Sequence, residues 1–400
     1  MSKDNWQNLL NNQRNEIDRL DTEIIKLLEQ RFDKAANIAK IKSENDIPVF
    51  DPSREEQVFN NIVRKISNDR YNSYIRNTYA SLMNSSKDMQ KDILDKINAS
   101  EELSAESVSD GKVELENKID YSKCKIVYQG VPGSYSEEAL KRFFPDDVET
   151  INVNEFSDTI KYIREGKADY GILPVENSST GSVNESVELL SDNMCYIVGE
   201  VILPVVHNFA VKKGTKIENI KEVYSHEQGF LQCRDFLSQH PDWKTIPYLN
   251  TAIAAKHVSE DKDFNKAVIA SSRAADIYGL EILQHEINKK KINSTRFAVF
   301  TDKFIVEEKA DKISVMLTLP HKSGSLYNML KILADKGLNM IKIESRPMPD
   351  RNWEYVFYID FEGNICENRC VSALKEIKNN SGFFKIMGNY KKDDSEVISK

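Results

Sequence analysis

The chain has 400 residues, of which 40% are hydrophobic and 30% charged, with a formal net charge of -8 at pH 7. This length accommodates two to four domains, and the acidic balance excludes the basic surface typical of nucleic-acid-binding proteins. The first 14 residues are polar and no apolar run approaches roughly 20 residues, so we expect neither a secretion signal nor a membrane span. The five cysteines form no CxxC pair, so we expect reduced thiols, no bound metal and a cytoplasmic protein.

The first part of the chain, from residue 6 to about 95, is predicted to be all-helical. Apolar residues from Ile17 to Ile41 recur at three- and four-residue steps, and neither Pro nor Gly interrupts them before Pro48. A helix over residues 7–45 would be roughly 58 Å long, so we expect it to pack along other long helices from a second chain. Shorter helices are predicted over 55–66 and 71–97.

Residues 99–121 are polar and acidic, with Ser, Asn and an Asp-Gly pair, and they contain few aromatic residues. Such a composition buries little apolar surface and is typical of a flexible linker. We therefore place a helical domain at residues 1–98 and a linker at residues 99–123.

From residue 124 to 306 short apolar runs alternate with helical patterns, which predicts an α/β sheet domain whose binding sites lie at strand ends. Strands are predicted at 126–128, 170–173, 196–198, 268–270 and 297–300. Helices are predicted at 136–144, 182–190, 228–237 and 252–258.

Residues 311–392 form a shorter pattern of four strands and two helices. The predicted strands are 313–319, 340–344, 355–361 and 384–388, and the predicted helices are 325–335 and 365–378. Their βαββαβ order is that of an α+β ferredoxin-like fold.

Three basic side chains fall on the first predicted helix. At 100° per residue, Arg31 and Lys42 come within about 20° of one face and lie roughly 16 Å apart along the axis, a span that two long cations bridge around a small dicarboxylate. Arg14 is about 26 Å from Arg31 and about 100° off that face, so it can serve only the pocket of a neighbouring chain. On spacing alone, solvated helix charges are the simpler interpretation.

The residues around these cations resemble the all-helical chorismate mutases over residues 6 to about 95. The segments that carry the resemblance are Gln13–Asp21, Leu27–Arg31, Ala39–Lys42 and Pro48–Glu56, together with Ser86 and Gln90. The resemblance implies that Arg31, Lys42 and Arg14 of the partner subunit hold the carboxylates and the ether oxygen of the substrate. The other pocket residues it implies are Asp51, Arg54, Glu55 (at the ring hydroxyl), Ser86 and Gln90 (with Lys42 at the ether oxygen).

In the middle of the chain, Thr295–Phe297 places a hydroxyl beside a permanent cation at the start of an apolar strand. A hydroxyl can pass a proton to a leaving group, and a guanidinium can hold a carboxylate with two parallel hydrogen bonds. The pair suits the loss of water from a small dianion, although a strand edge with a solvated arginine is the simpler alternative. Four polar turns between strands and helices accompany it, each of which is also explained by helix capping: Gln129–Ser136, Leu173–Ser178, Ser225–Gln228 and Asn250–Ala252.

Taken together, residues 125–301 resemble the prephenate dehydratases, most specifically in Gly130–Ser136, Pro174–Ser178 and Asn293–Phe297. One departure is Glu227, where the family has proline in a Ser-His-Pro-Gln segment, and we expect only a local effect on that turn.

The resemblance implies that Thr295 donates a proton to the leaving ring hydroxyl while CO₂ is lost and the ring becomes aromatic, and that Arg296 anchors a carboxylate. His226 has two possible roles at this point, as a general acid or as a helix cap. The side chains implied to line the cleft are Glu176, Asn177, Ser178, Ser225, Gln228 and Thr251.

The C-terminal pattern contains His321–Leu326 at a strand-to-helix turn and Ile343–Pro347 at a strand end. These segments resemble the amino-acid-binding ACT domain of prephenate dehydratases, with Ser325 in place of the usual alanine. The resemblance implies phenylalanine binding at a dimer interface, while a ligand-free dimerisation module is the alternative. The implied effector residues are Gly324, Ser325, Leu326, Glu344, Ser345 and Arg346.

The three resemblances together predict a bifunctional chorismate mutase–prephenate dehydratase. It would need no cofactor, convert chorismate through prephenate to phenylpyruvate, form a homodimer or higher homo-oligomer, and be inhibited by L-phenylalanine. One alternative is an enzyme active only as a dehydratase, with a dimerising helical domain. Another is a non-enzymatic protein that binds amino acids, because two-lobed α/β domains also do so; a missing secretion signal counts against it.

Overall fold

We describe the protein from a computed structural model, in which residues 3–45, 47, 52–97, 105–109, 112–288, 293–348 and 354–393 are placed. The chain divides between residues 103 and 104 into two compact units, called unit 1 and unit 2. Within the placed residues no helix combines the length and the apolarity that a membrane span requires.

Unit 1 is helical. It contains α1 (Lys3–Glu44), α2 (Pro52–Val63) and α3 (Asn72–Ile97), and α3 packs on both of the others. At 1.5 Å per residue, the 42 residues of α1 extend about 63 Å. The prediction of one long helix followed by two shorter ones is confirmed.

Unit 1 buries little of its apolar surface within one chain. Of its side chains that the structure describes, only Ala35, Ala39 and Ser86 are buried. Large apolar side chains of α1 are exposed instead, by 40% to 65% of their surface. They are Trp6, Leu9, Leu10, Ile17, Leu20, Ile24, Ile25, Leu27, Ile38 and Ile41.

Unit 2 begins with a short strand and continues as an α/β structure of two lobes. The elements of its first half are β1 (Val113–Glu116), β2 (Lys125–Gln129), α4 (Tyr135–Phe143), β3 (Glu149–Val153), α5 (Phe156–Arg164), β4 (Tyr170–Asn177), β5 (Gly181–Ser182), α6 (Asn184–Asp192) and β6 (Tyr196–Pro204). Next come β7 (Asn208–Lys212), β8 (Glu222–Ser225), α7 (Glu227–Gln232), α8 (Arg234–Leu237), β9 (Lys244–Pro247), α9 (Thr251–Glu260), β10 (Lys266–Ala270), α10 (Ser272–Ile277), β11 (Leu280–Gln284), β12 (Ser294–Thr301) and β13 (Phe304–Glu307).

The two lobes are built on separate sheets. In the first lobe the strand order is β6-β12-β4-β2-β3, and in the second it is β11-β7-β10-β8-β9. The chain passes between the lobes after β6, through Val205–His207, and returns between β11 and β12. In the second lobe β8, β9 and β10 are parallel, so their carboxyl ends meet at one sheet edge.

The last part of unit 2 has the predicted βαββαβ order. Its elements are β14 (Lys312–Thr318), α11 (Ser325–Asp335), β15 (Met340–Pro347), β16 (Tyr355–Glu362), α12 (Asn368–Asn379) and β17 (Phe383–Tyr390), with the sheet order β15-β16-β14-β17. One face of this sheet packs on α11 and α12, and the other packs against the first lobe.

The C-terminal sheet is continuous with the first lobe, because β17 pairs with β6 through Gly388 and Ile197. A Cβ atom on Gly388 would lie 2.2 Å from the Ile197 carbonyl oxygen, so only glycine permits this approach of the two backbones. The two parts of unit 2 therefore share one ten-stranded sheet.

The prediction of a flexible linker is wrong for much of residues 105–121. β1 pairs in parallel with β13, and Val108, Val113 and Ile119 are buried in the cores of unit 2. Tyr121 packs edge-on against Phe143. The polar composition concealed a few well-spaced apolar residues, which suffice to fix the segment because an existing sheet and core receive them.

Candidate active sites

The helical unit brings three of the predicted mutase residues together. Arg31 on α1 donates a hydrogen bond from Nη1 to Oγ of Ser86 on α3, and this hydroxyl also donates to the Leu82 carbonyl at 2.8 Å. Gln90 follows Ser86 by one helical turn on the same side of α3 and is half-buried. Arg31 and Lys42 are half-buried as well.

Two other predicted mutase residues, Arg14 and Arg54, are exposed within the one chain. Arg14 is exposed and precedes Arg31 by about 26 Å along α1. Arg54 is exposed on α2, with its Nη1 3.5 Å from Oε1 of Gln57. Asp51 and the side chain of Glu55 lie outside the described residues.

In unit 2 the hydroxyl of Thr295 lies next to the amide of Asn177. The two residues are opposed in the β12–β4 ladder, and Asn177 donates from Nδ2 to Thr295 Oγ1 at 2.9 Å. The direction of this bond is fixed, because Asn177 Oδ1 accepts from the backbone N–H groups of Ser179 and Thr180. Thr295 thus receives a hydrogen bond, and its own proton has no acceptor among the described residues.

The predicted pairing of Thr295 with Arg296 in one site is wrong. Successive side chains of a strand point to opposite faces of the sheet, and β12 is regular at this position. Arg296 therefore points away from Thr295, towards the C-terminal sheet. Glu176 also points there and accepts from Arg296 at 2.8 Å, so neither residue lines the cleft or anchors a substrate carboxylate.

Arg296 instead belongs to a buried ion cluster between the first lobe and the C-terminal sheet. Its Nη1 lies 2.9 Å from Asp360 and 3.3 Å from Glu200, and Lys312 lies 2.8 Å from Glu200. Burial raises the pKa of the Asp360 carboxyl, whereas the nearby charges of Arg296 and Lys312 lower it. The lowering outweighs the effect of burial, so this pKa lies below its usual value. The cluster holds the two parts of unit 2 together by charge compensation.

Replacing Asp360 with asparagine is expected to lower the free energy of unfolding of unit 2 by about 3 kcal/mol, because it removes the buried carboxylate that pairs with both Arg296 and Lys312. Since the folded-state pKa is depressed, the stabilisation is present above the ordinary pKa of about 3.9 and is lost as the pH falls through the folded-state value. Urea denaturation of the wild-type chain and of Asp360→Asn, at neutral and at acidic pH, measures this difference in unfolding free energy.

The control is Glu362→Gln, on the same strand, which removes an exposed pair with Lys392 at 2.9 Å and should cost less than about 1 kcal/mol. Equal losses of unfolding free energy in the two variants would contradict the role of the cluster.

The second lobe contributes turns at the carboxyl ends of its parallel strands, but two predicted side chains there are structural. Ser225 is fully buried and donates from Oγ to the Ile269 carbonyl at 2.9 Å, so the prediction that it binds substrate is wrong. His226 caps α7, with Nδ1 accepting from the Gln228 backbone at 3.2 Å. The Gln228 side chain is exposed, and Thr251 is buried as the first residue of α9.

Asn250, which belongs to one of the four polar turns noted in the sequence, caps α9 and also offers a donor. Its Oδ1 accepts from the Ile253 backbone at 2.7 Å, whereas its buried Nδ2 lacks a hydrogen-bond partner in the part of the chain that the structure describes. This Nδ2 is next to Gly130, at the end of β2 in the first lobe. The α4 helix, capped by Ser134, also begins there, so two helix N-termini and the free amide donor of Asn250 lie where the two lobes meet.

A chain of amide groups leads from Thr295 into the crossing between the lobes. Asn177 donates to Oδ1 of buried Asn293 at 3.0 Å, and Asn293 donates to Oε1 of Gln232 at 3.0 Å. The same Oε1 lies 2.8 Å from Nε2 of His207, a buried residue between β6 and β7. Sequence reasoning missed Gln232 and His207, because neither residue stands in a turn with other polar groups.

The predicted effector residues are divided between two faces of the C-terminal sheet. Ser325 and Leu326 line a cavity of about 370 Å³ together with Phe357, which opposes Ser345 across the β15–β16 ladder. Gly324, with a φ of 85°, sets the turn that leads into α11.

Glu344 and Arg346 point the other way and are held by contacts with the first lobe of the same chain. Glu344 accepts from Ser182, and Arg346 donates to the Asn184 carbonyl at 3.3 Å. Burial raises the pKa of Glu344, but Ser182, Arg346 and Lys342 lower it below its usual value. The two residues attach β15 to the β5–α6 segment that follows Asn177.

Comparison with known proteins decides the family. The chain matches the family described as chorismate mutase type II over residues 13–91 and the family described as prephenate dehydratase over residues 126–304. A bifunctional chorismate mutase/prephenate dehydratase of Aquifex aeolicus is 31% identical over 382 residues, which cover 95% of this chain and 97% of that protein. The chain belongs to the bifunctional chorismate mutase/prephenate dehydratases.

A bifunctional chorismate mutase/prephenate dehydratase of Buchnera aphidicola is 30% identical and covers 94% of this chain. The crystal structure of the prephenate dehydratase from Arthrobacter aurescens in complex with L-Phe is 27% identical, with a TM-score of 0.62, and covers 67% of this chain and 90% of that one.

As a bifunctional chorismate mutase/prephenate dehydratase, the protein carries both enzyme activities on one chain. Arg31, Ser86 and Gln90 lie within the region matched to the mutase family, and Asn177 and Thr295 lie within that matched to the dehydratase family. The strands β14 to β17 follow both matched regions.

Proposed function

We propose that the groups around Arg31 form the chorismate mutase site and that a second copy of the chain completes it. The observation that carries this proposal is the exposed apolar face of α1, in a unit whose described side chains form almost no core. Packing α1 along the α1 of a partner would bury this face. It would also bring Arg14 of the partner subunit to the region of Arg31 and Lys42.

The mutase reaction needs no acid, nucleophile or cofactor. The bridging ether C–O bond breaks while a C–C bond forms within the same molecule, and negative charge develops on the ether oxygen. Arg31 would hold a carboxylate and keep the substrate folded, while Lys42 and Gln90 would donate hydrogen bonds to the ether oxygen. Asp51, Arg54, Glu55 and Ser86 would complete the pocket.

For the dehydratase we propose that the cleft lies between the lobes, with Thr295 as its proton donor. The support is that Thr295 accepts from Asn177 and keeps its own proton for an outside acceptor. The bond between the ring and its carboxylate breaks and releases CO₂, its electron pair enters the ring, and the ring C–O bond breaks. The leaving hydroxide takes the Thr295 proton and departs as water, and solvent returns a proton to the Thr295 oxygen.

A threonine is a weak acid, so aromatisation of the ring and release of CO₂ must provide most of the driving force. The Thr295 hydroxyl contributes by its position, at the place where negative charge develops on the leaving oxygen.

Because Arg296 is held by carboxylates, another group must receive the substrate anion. The N-termini of α4 and α9 border the cleft and attract negative charge, and the free Nδ2 of Asn250 can donate to a carboxylate or carbonyl oxygen. Ser178, Gln228 and Thr251 would lie along the same cleft.

We propose further that residues 311–392 form an ACT domain that binds L-phenylalanine and inhibits the dehydratase. The 370 Å³ cavity beside Ser325, Leu326 and Phe357 is apolar on one side and large enough for an amino acid. The attachment of Glu344 and Arg346 to the β5–α6 segment supports a route from this domain towards Asn177. Inhibition requires that the ligand bind the less active arrangement more tightly.

Replacing Leu326 with asparagine is expected to raise the L-phenylalanine concentration for half-inhibition at least about tenfold, because a polar amide would border the apolar cavity at a cost of about 1.4 kcal/mol. The measurement is phenylpyruvate formation from prephenate over a series of L-phenylalanine concentrations. The control is Leu283→Asn in the second lobe, at a leucine of similar exposure. Inhibition that is the same in both variants, or absent from the wild-type chain, would contradict this site.

A further inference from the structure

We infer that His207 is a positioning residue of the dehydratase: it fixes the amide of Gln232 so that its NH₂ group faces outward as a hydrogen-bond donor to the substrate. The inference rests on the proposed dehydratase site and concerns a residue outside every motif of the sequence. His207 lies in the segment that links the two lobes, and its imidazole contacts one side chain from each lobe.

The direction of the hydrogen-bond chain follows from its fixed end. Asn177 Oδ1 accepts from two backbone N–H groups, so Asn177 Nδ2 must be the donor to Asn293 Oδ1. Asn293 Nδ2 is then the donor to Gln232 Oε1. An oxygen at this place can only accept, so His207 must carry a proton on Nε2, 2.8 Å from Gln232 Oε1.

The other nitrogen of the ring faces Tyr135, which begins α4. The Tyr135 hydroxyl lies 2.9 Å from the Val206 carbonyl and 3.3 Å from His207 Nδ1, and it supplies one proton for the two acceptors. His207 is 3% exposed, and burial lowers its pKa although the bond to Gln232 opposes this. The ring is therefore neutral, with its proton on Nε2.

The backbone of His207 is also held by hydrogen bonds. Its N–H donates to Asn288 Oδ1 at 3.1 Å, and its carbonyl accepts from Ile287 at 2.8 Å. Both partners belong to the second connection between the lobes. Tyr135 and Gln232 come from different lobes, so the His207 ring aligns them with each other at the crossing.

These hydrogen bonds fix the orientation of the Gln232 amide. Its Oε1 is occupied by two donors, His207 and Asn293, which prevents the amide from turning over. Its Nε2 has no hydrogen-bond partner among the residues that the structure places, and it is not a buried atom. Gln232 is thereby kept as a donor, two amide groups away from Thr295. A donor there suits an oxygen of an anionic, hydroxylated substrate.

The test is a pair of variants of the full-length chain, His207→Gln and His207→Asn. A glutamine side chain carries its amide nitrogen as far out as Nε2, whereas an asparagine reaches only the place of Nδ1. We expect His207→Asn to lower kcat for prephenate dehydration at least about tenfold with KM changed less than threefold, and His207→Gln to stay within about threefold of wild type in kcat.

Two further measurements separate positioning from folding. The urea denaturation of unit 2 in each variant reports whether the lobes on either side of residue 207 are folded. His240→Asn, at a histidine that stacks on Trp243 in the second lobe, should leave both activities unchanged. If Gln and Asn at position 207 lower kcat equally, or if the loss is in KM alone, His207 has only a structural role and the inference is overturned.

The Thr295→Val chain distinguishes a failure of this inference from a failure of the proposed site. If Thr295→Val retains dehydratase activity, the proposed dehydratase site itself is wrong. If that variant is inactive while His207→Asn has wild-type kcat, only the role of His207 is wrong.

Discussion

Replacing Thr295 with valine should lower kcat for prephenate dehydration by about 10² to 10⁴, the range that a positioned proton donor contributes. Valine keeps the shape of threonine and its place in β12 but has no hydroxyl to protonate the leaving oxygen. The loss should appear in kcat more than in KM, because the hydroxyl acts mainly as the C–O bond breaks. The measurement is phenylpyruvate formation from prephenate.

Thr295→Ser is the matched control, since it retains the hydroxyl and its bond from Asn177. We expect it to keep more than about a tenth of the wild-type kcat. Thr295→Val also removes one of the two acceptors of the Asn177 amide, which costs about 1–3 kcal/mol of stability. A cooperative urea-denaturation transition of unit 2 would show that the variant is folded. A kcat equal to that of Thr295→Ser would contradict the role of the hydroxyl.

Replacing Arg31 with methionine should lower kcat/KM for chorismate rearrangement by at least about 10², because the pocket loses a cation that holds the substrate and stabilises the developing charge. Methionine is similar in length and packs well within a helix, so α1 should persist. Turnover of prephenate by unit 2 should remain at the wild-type rate. The measurement is chorismate consumption.

The matched control is Arg19→Met, on the same helix, where Arg19 forms exposed pairs with Glu16 and Glu23. It should leave both activities unchanged. If unit 1 serves only for dimerisation, Arg31→Met will match Arg19→Met, and neither variant will differ from wild type in chorismate turnover.

Much of the fold could be predicted from the sequence because its patterns are local. The period of α1 over Ile17 to Ile41, the apolar run of β12 and the βαββαβ order after residue 311 each reflect a regular alternation of apolar residues. The strand at Val113–Glu116 could not be predicted in this way, because its partner β13 lies about 190 residues further along the chain. Pairing at that distance leaves no local signal in a polar segment.

The site was predictable in part. The pairing of Asn177 with Thr295 follows from motifs that end and begin neighbouring strands. The separation of Thr295 from Arg296 follows from strand geometry, yet it was missed because the two residues look complementary in chemistry. His207 and Gln232 stand alone in the sequence, and only the crossing of the lobes brings them to the chain of amides.

The central claim is that two separate sites on one chain act in sequence, the first around Arg31 and the second at Thr295. Its most direct test is to supply chorismate to the Thr295→Val chain and to identify the product. We predict that chorismate is consumed at the wild-type rate and that prephenate accumulates without phenylpyruvate. Continued formation of phenylpyruvate at the wild-type rate, or failure to consume chorismate, would contradict the claim.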